Sequence, residues 1–290
     1  MAYNPSETGN YYILGDSQAE AVHLIEQDRN FTKSMRGLLP EQPEQEIARL
    51  HDVLDLGCGP GGWVLELAQA YPHLQVTGLD ISQAMIAYAR LQAQAGGLDN
   101  AHFTVSNITT LPLPFPEASF DLVNARHIEE VIPAASFPAL VQEMVRITRP
   151  GGTIRITGSE WGVTTSAAYE QLMTLLLQAA RRAELDLSAD GRNLGVAPWL
   201  RRFLHDAGCV NIQERASALD FSAGAEQQLS GYRDLTIAFA LMQPFLTGVG
   251  VTTQDDFEQL YQQLTLEMSE EHFCGLVYTL TVWGQKPQAR

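Results

Sequence analysis

The sequence predicts an α/β fold in which a doubly wound, mostly parallel sheet carries added helical segments. Between residues 51 and 160, short apolar segments alternate with amphipathic ones, and the connections between them are short. This alternation is typical of parallel strands joined by crossover helices. The first apolar segment runs directly into a glycine-rich turn, which is how the first strand of such a sheet commonly meets its helix.

The alternating core contains five predicted strands and three predicted helices. Ser82 and Ser136 stand where the second and third helices begin, and a serine side chain there accepts hydrogen bonds from the first free N–H groups. The pair Gly96-Gly97 ends the second helix. The predicted strands are 53–56, 75–79, 103–105, 120–125 and 153–157, and the predicted helices are 61–71, 82–94 and 136–148.

Further helical sequence lies outside this core. Residues 1–50 are predicted to form an N-terminal helical lid segment, and residues 51–290 the core, with helical insertions near 160–190 and 224–268. We expect the insertions to cover the crevice at the carboxyl ends of the strands, where open α/β sheets bind ligands. After the fifth strand, helices are predicted at 169–185 and 198–207, and two more strands at 210–212 and 272–283.

Composition indicates a globular protein. The 290 residues are 45% apolar and 18% charged, and no apolar stretch approaches the roughly 18 residues of a membrane span. The N-terminal sequence has neither a basic start nor an apolar segment, so we expect no secretory signal. Cys58, Cys209 and Cys274 are far apart and form no CxxC pair, which predicts free thiols and a cytoplasmic protein. The seven histidines are scattered, so no metal site is predicted.

Charge restricts the class of partner. The formal net charge is −16, and Lys33 and Lys286 are the only lysines in the chain. Nucleic acids and anionic membranes are bound through basic residues, so both are poor candidate partners. The sequence therefore predicts a small-molecule substrate, and it leaves open whether the protein forms a homodimer.

The glycine loop after the first strand is the strongest motif. Gly57 permits a tight turn, Gly59 lets the backbone approach a ligand, and the following helix offers free N–H groups. Asp80, at the end of the second strand, can accept hydrogen bonds from both hydroxyls of a ribose. Together with Gly62, the two loop glycines also fit GxGxxG, a motif that suits a dinucleotide-dependent dehydrogenase.

Four motifs of the core resemble those of class I S-adenosylmethionine (SAM)-dependent methyltransferases, especially the small-molecule branch with ubiquinone/menaquinone-type and phosphoethanolamine-type enzymes. The resemblance implies a seven-stranded, Rossmann-like fold, SAM as cofactor, and methyl transfer to a small, partly apolar molecule. A SAM-binding cyclase or rearrangement catalyst, and an NAD-type oxidoreductase, remain alternatives, although no Tyr-x-x-x-Lys pair supports the latter. The four motifs are Asp55 before the glycine loop, Gly78–Ser82, Phe120–Val123 and Arg149–Gly152.

The resemblance also implies the residues that hold SAM. Asp80 would bind the ribose, while Ile81 and Met85 would flank the adenine. Where relatives often carry an acidic residue for the adenine amino group, this chain has Asn107, followed by Ile108. An amide oxygen can also accept from that amino group. The methionine end and the transferable methyl would be bordered by Asp55, Gly57, Cys58, Gly59, Asn124, Ala125 and Arg126.

Residues at the carboxyl ends of the fourth and fifth strands are candidates for catalysis. His127 is the leading candidate for a general base because its free pKa lies near neutrality. Glu129 and Glu130 either orient His127 or form a solvated helix start, and the solvated interpretation is preferred. Glu160 follows the fifth strand and is a second catalytic candidate, beside Trp161, which either lines an apolar pocket or packs in the core.

Aromatic residues outside the core supply two further candidates. Tyr11 and Tyr12 lie in the N-terminal segment, where similar enzymes close a tyrosine over SAM, and Tyr12 is therefore a third catalytic candidate. An aromatic and apolar set occupies the late insertion and is expected to be core rather than pocket. Its members are Tyr232, Phe239, Met242 and Phe245.

Overall fold

A computed structural model describes residues 18–129 and 131–288 and contains one mixed sheet with helices on both faces. The strands are β1 (Asp52–Leu56), β2 (Gln75–Asp80), β3 (Ala101–Val105), β4 (Phe120–Arg126), β5 (Thr148–Ser159), β6 (Val163–Thr164), β7 (Val210–Asp220) and β8 (Gly275–Gln285). The helices are α1 (Gln18–Ser34), α2 (Glu44–Ile47), α3 (Gly62–Ala70), α4 (Gln83–Gly96), α5 (Phe137–Ile147), α6 (Ala167–Arg182), α7 (Leu200–Asp206), α8 (Gln228–Gly248) and α9 (Gln254–Glu267).

The predicted doubly wound sheet is confirmed. Its strand order is β3-β2-β1-β4-β5-β8-β6, with β7 paired to β8. The neighbouring pairs among β1 to β5 are parallel, whereas β8 runs antiparallel to β5, β6 and β7. The order reverses between β1 and β4, so the switch point, where such sheets bind ligands, lies at the carboxyl ends of these two strands.

Seven of the eight strands correspond to the predicted ones. The eighth, β6, has only two residues, which pair with Leu276 and Gly275 at the start of β8. The strand β7 is eleven residues long, although only residues 210–212 were predicted as strand. Most of its side chains are exposed, so its sequence lacks the apolar alternation of a half-buried strand, and pairing with β8 forms it instead.

One of the two predicted serine caps is confirmed. The Ser82 hydroxyl accepts from the Met85 N–H at 3.0 Å, and helix α4 ends at Gly97 in the left-handed conformation. The Ser136 cap was a wrong prediction, because Ser136 is itself helical and its side chain makes no capping hydrogen bond. A short 3-10 turn, Ala134–Ser136, leads straight into α5.

Two buried apolar clusters lie on opposite faces of the sheet. One packs α3 and α4 against β1 and β2, with Trp63 and Ile86 fully buried. The larger one packs α5 to α9 on the other face, around residues such as Phe137 and Leu204. Helix α1 packs against α8, and α6 packs against α9, so the helices of the predicted insertions contact one another and α1. In the described ranges, none of the helices is long and apolar enough to cross a membrane.

A chain of buried polar side chains crosses three strands of the sheet. Arg155 on β5 is completely buried, and it donates from Nε to Glu41 Oε1 at 2.7 Å and from Nη1 to Asn124 Oδ1 at 2.8 Å. The Asn124 amide on β4 then donates to Asp55 Oδ1 on β1 at 2.7 Å. Because Glu41 precedes α2, this chain of contacts also fixes the segment between α1 and β1 to the sheet.

We predict that Arg155→Met destabilises the fold by about 3–5 kcal/mol, because it leaves the buried Glu41 carboxylate without its counter-charge. Urea unfolding monitored by circular dichroism measures the change. The double variant Arg155→Met/Glu41→Met should recover part of the loss. The matched control is Arg202→Met, which breaks an exposed pair with Asp206 and should cost less than about 0.5 kcal/mol. Equal losses for Arg155→Met and Arg202→Met would contradict the assignment.

Candidate functional site

A large cavity opens at the carboxyl ends of β1 and β4. It encloses about 1820 Å³ of empty space, including its mouth. Its base is formed by the ends of β1, β2, β4 and β5. Three helices, α1, α6 and α8, line the opposite side and are called the roof helices below. The cavity therefore lies where the fold predicts a binding site.

The glycine loop forms one wall of this cavity. Gly57 and Gly59 have φ of +70° and +53°, in the left-handed region that favours glycine. The N–H groups of Gly57 and Cys58 both donate to the Leu79 carbonyl, at 2.8 and 3.0 Å. A side chain at Gly57 would also approach Ile128 to within 3.0 Å. The predicted loop residues Gly57, Cys58 and Gly59 all line the cavity.

Asp80 holds the same loop and faces the cavity. Its Oδ2 accepts from the Gly59 N–H at 2.8 Å, and its Oδ1 accepts from the Ser82 N–H at 2.9 Å. A carboxylate has about four lone-pair sites, so it can accept further hydrogen bonds from a ribose. The residues predicted to flank the adenine, Ile81 and Met85, line the cavity beside it.

Asn107 and Ile108, which the resemblance assigns to the adenine end, also line the cavity. The Asn107 Oδ1 accepts from the Thr109 N–H at 2.9 Å and from the Thr109 hydroxyl at 2.8 Å. Both lone pairs of this oxygen are therefore used. A contact from it to the adenine amino group would have to replace one of the two.

Asp55 stands at the methionine end of the predicted cofactor site. The residue is buried, and this burial raises the pKa of its carboxyl group from 3.8 to about 7, although Arg126, the Asn124 amide and Arg155 act in the opposite direction. Asp28 on α1 adds to the rise. Asn124 is fully buried below Asp55 and does not line the cavity, so the structure shows it holding Asp55 in place.

Arg126, at the end of β4, connects the sheet to α1. Its guanidinium pairs with the Asp28 carboxylate, contacts the Thr32 hydroxyl at 3.3 Å, and lies 5.6 Å from the centre of the Trp63 ring. Arg126 lines the cavity as predicted. Its neighbour Ala125 is fully buried and is absent from the cavity wall.

His127 is placed at the cavity by a strained backbone. Its φ is +52°, a conformation that is costly for a residue with a side chain, and its N–H donates to the Thr157 carbonyl at 2.9 Å. The ring stacks on Phe31 with 4.2 Å between ring centres. Among the described residues, no hydrogen-bond partner meets the buried His127 Nε2. This atom is therefore available to a ligand.

Glu129 is buried beside His127, so the prediction of a solvated helix start was wrong for this residue. Only 1% of Glu129 is exposed, and its Oε1 accepts from the Ser159 N–H at 2.7 Å. The same oxygen lies 3.6 Å from His127 Nδ1, and the Ser159 hydroxyl lies 3.4 Å from that nitrogen. The carboxylate thus lies beside the imidazole, beyond hydrogen-bond distance but close enough for an ionic contact. Glu130, Tyr11 and Tyr12 lie outside the described residues.

Glu160 lines the cavity, but its oxygens are used by backbone groups. Its Oε2 accepts from the N–H groups of Leu194 and Gly195 at 3.0 and 3.1 Å, and its Oε1 accepts from that of Ala197 at 3.2 Å. Burial raises the pKa of its carboxyl group. These contacts favour a structural role for Glu160 in holding the loop that follows α6.

The aromatic candidates divide between cavity and core. Trp161 lines the cavity, as one of its two interpretations predicted. Phe239 and Met242 were expected to be core, and they are buried but also line the cavity. Phe245 and Tyr232 do not line it and pack in or against the core.

The roof helices bring in residues that no motif in the sequence indicated. His23 on α1 and Asp234 on α8 lie 3.0 Å apart, Nδ1 to Oδ1, and both line the cavity. Beside them Glu20 is fully buried, which raises the pKa of its carboxyl group to about 7. A helical spacing of three or four residues was the available signal. The cavity residues at this spacing are His23, Gln27 and Phe31 on α1, Tyr169 and Met173 on α6, and Asp234, Ala238 and Met242 on α8.

Comparison with known proteins identifies the family to which this chain is similar. A family described as a methyltransferase domain matches residues 53–152. The trans-aconitate 2-methyltransferase of Deinococcus radiodurans is 33% identical over 224 residues, which cover 77% of this chain and 72% of that protein. The match therefore extends through both the core and the later helical segments.

Two further relatives match shorter segments. The ajmaline N-methyltransferase of Rauvolfia serpentina is 33% identical over 156 residues, 53% of this chain and 48% of the relative. The demethylmenaquinone methyltransferase of Geobacillus kaustophilus is 36% identical over 100 residues, 34% of this chain and 41% of the relative. The chain thus spans less than half the length of these two proteins. All three named relatives are methyltransferases, which favours methyl transfer over the dehydrogenase and cyclase alternatives.

We predict that Asp80→Ala weakens the binding of S-adenosylhomocysteine, the demethylated cofactor, by about 1–3 kcal/mol, because a charged acceptor for the ribose hydroxyls is lost. Isothermal titration calorimetry measures the affinity. The control is Asp99→Ala, which removes an exposed carboxylate outside the cavity and should leave the affinity unchanged. Unchanged affinity in a folded Asp80→Ala protein would refute the ribose assignment.

We predict that SAM binding near neutral pH releases a proton from Asp55. The cationic ammonium of the cofactor favours the carboxylate form of a group whose pKa is about 7, so affinity should fall as the pH drops below 7. Calorimetry in buffers of different ionisation enthalpy measures the release. Asp55→Asn should abolish both the release and the pH dependence, and a release that persists in this variant would contradict the prediction.

The same shift sets the pH dependence of unliganded stability. Between pH 3.8 and about 7 the folded state holds a proton on Asp55 that the unfolded state has lost. The contribution of Asp55 to stability is therefore lost as the pH rises through this window. Asp55→Asn should remove this contribution from urea unfolding curves measured along the pH range.

Proposed function

This chain belongs to the class I SAM-dependent methyltransferases, and we propose that it transfers a methyl group to a small, partly apolar molecule held under the roof helices. One observation carries the proposal. The cavity joins a polar part, built from the glycine loop, Asp55 and Asp80, to an apolar part, and His127 faces the same space.

The cavity wall fits SAM in shape and in chemistry. Gly57 and Gly59 have no side chains to block the approach of a ligand, and both adopt the left-handed backbone that such a loop requires. Asp80 offers carboxylate oxygens to ribose hydroxyls, and Asp55 offers one to the ammonium group. Ile81 gives the adenine an apolar surface. When bound, SAM supplies a methyl group activated by a sulfonium.

The chain's own residues would align the acceptor, exclude water and move a proton. Phe239 and Met242 shield one side of the cavity, and alignment with exclusion of water is the main requirement for a displacement at a methyl group. His127 Nε2 would accept the proton of the acceptor. Glu129 and Ser159, near Nδ1, would hold the imidazole in place.

Residues 1–50 and the insertions near 160–190 and 224–268 would together act as a lid over the core formed by 51–290. Helices α1, α6 and α8 fall within these segments and line the cavity, which supports this division. The contact between Arg126 and Asp28 supports it further, because it joins α1 to the edge of the cofactor site. The catalytic role of Tyr12 belongs to the same proposal.

The proposed setting is the cytoplasm, with a small molecule and no nucleic acid as partner. The free thiols Cys58, Cys209 and Cys274 support a reducing compartment. The net charge of −16 disfavours a polyanionic partner. A homodimer stays a prediction, and sedimentation equilibrium at two protein concentrations tests it.

We predict that His127→Ala lowers the methyl-transfer rate by about 10²–10⁴-fold, the usual contribution of a general base. The cofactor affinity should stay nearly unchanged. His127→Gln should not restore the rate, because an amide cannot take the proton. Initial rates with radiolabelled SAM and the acceptor measure the effect. The matched control, His205→Ala, removes an exposed histidine outside the cavity.

A similar, small loss in both His127 variants would show that catalysis needs only alignment and exclusion of water. Glu129→Gln provides an independent check, because it removes the charge beside Nδ1 but keeps the size of the side chain. If Glu129 positions His127, this variant should lower the methyl-transfer rate and leave the cofactor affinity nearly unchanged. An unchanged rate would contradict the proposed pair.

A further inference from the structure

Acidic residues outnumber arginine and lysine along the described wall of the cavity. Among the described residues that line the cavity, Arg126 is the only arginine or lysine, and its guanidinium is paired with Asp28. An anionic acceptor would therefore meet no free cation in the described wall. The acidic residues of the wall are Asp28, Asp55, Asp80, Glu160 and Asp234.

Asp234 is an acidic wall residue that has no role in the glycine loop or in the proposed binding of SAM. It lies on α8, and its side chain is 16% exposed, whereas its neighbour His23 is completely buried. The residues beside it on α8 that reach the cavity, Leu235 and Ala238, are apolar. Asp234 is thus a carboxylate at the border between the apolar residues of α8 and His23 of α1, and its partly exposed side chain faces the cavity.

Aromatic rings also line the cavity. Phe31, Trp161, Tyr169 and Phe239 all line the cavity, and the rings of Tyr169 and Phe239 meet edge to face at 5.9 Å. The faces of aromatic rings attract cations, most strongly when water is excluded. Carboxylates and aromatic faces together are the usual surroundings of a bound ammonium group.

We propose that the methyl acceptor is an amine carried on an apolar body, with Asp234 as the residue that selects it. This inference rests on the proposed methyltransferase function and deepens it. The apolar body would pack against the aromatic and aliphatic wall, and the ammonium form would be drawn in by the carboxylates.

Methyl transfer to such an amine begins with the loss of a proton. The ammonium form of the acceptor gives one proton to His127 Nε2 and becomes a neutral amine. Its nitrogen lone pair forms a bond to the methyl carbon, while the bond from that carbon to sulfur breaks and its electron pair stays on sulfur. The products are the N-methylated ammonium and a neutral thioether, and His127 returns its proton to solvent.

Binding of three matched probes tests the inference. They are N-methyl-2-phenylethylamine, 2-phenylethanol and 3-phenylpropanoate, which share an apolar body and differ in charge. Each is titrated by calorimetry into protein saturated with S-adenosylhomocysteine, near neutral pH and at low salt. The amine should bind about tenfold more tightly than the alcohol, as expected for a charge-assisted contact, and the carboxylate should bind most weakly.

Substitutions of Asp234 test whether this residue causes the preference for the amine over the alcohol. Asp234→Asn should lower the affinity for the amine about tenfold and leave that for the alcohol unchanged. Asp234→Glu should restore part of the affinity. Asp255→Asn removes an exposed carboxylate from α9 and should change neither. If Asp234→Asn does not fold, the three probes on the unaltered protein still decide the charge class.

Each outcome separates this inference from the proposed function. Equal binding of amine and alcohol, tighter binding of the carboxylate, or no binding of the amine overturns the inference. The preceding titration with S-adenosylhomocysteine is independent of the acceptor, and its failure would overturn the proposed function instead.

Discussion

The buried charge of Arg155 is the constraint on which the site depends. An arginine that is fully removed from water is tolerated only when it is paired and hydrogen-bonded. Arg155 donates to Glu41, which lies before α2, and to Asn124, which lies on β4. Asn124 in turn donates to Asp55 on β1. Any shift of register among β1, β4 and β5 would break this chain of contacts. The glycine loop begins two residues after Asp55 and is therefore held in place by the same contacts.

Two further polar pairs hold the roof of the cavity. Helix α1 joins α8 through His23 and Asp234, and it joins the sheet edge through Asp28 and Arg126. These polar pairs are largely buried at the border of the cavity, so breaking either of them would be costly. The base and the roof of the cavity are therefore both held by buried polar contacts.

The sequence predicted the core and the cofactor loop because their signals are local. A glycine-rich turn after a strand permits the positive φ seen at Gly57 and Gly59, and Ser82 caps its helix through the residue three positions away. Asp80 follows from the alternation of strand and helix, which places the second strand beside the first. His127 followed from the same reasoning, since it comes directly after the fourth strand.

Long-range contacts decided the rest. Glu129 looks like a solvated residue in the sequence, and only the pairing of β4 with β5 brings Ser159 over it and buries it. His23 and Asp234 are more than 200 positions apart, so their contact exists only after α1 packs on α8. The sequence by itself determined the parallel strands β1 to β5 and the glycine loop, and its resemblance to a family implied the cofactor. The tertiary structure alone decided which charges share the cavity, because burial and pairing depend on what the chain brings near in space.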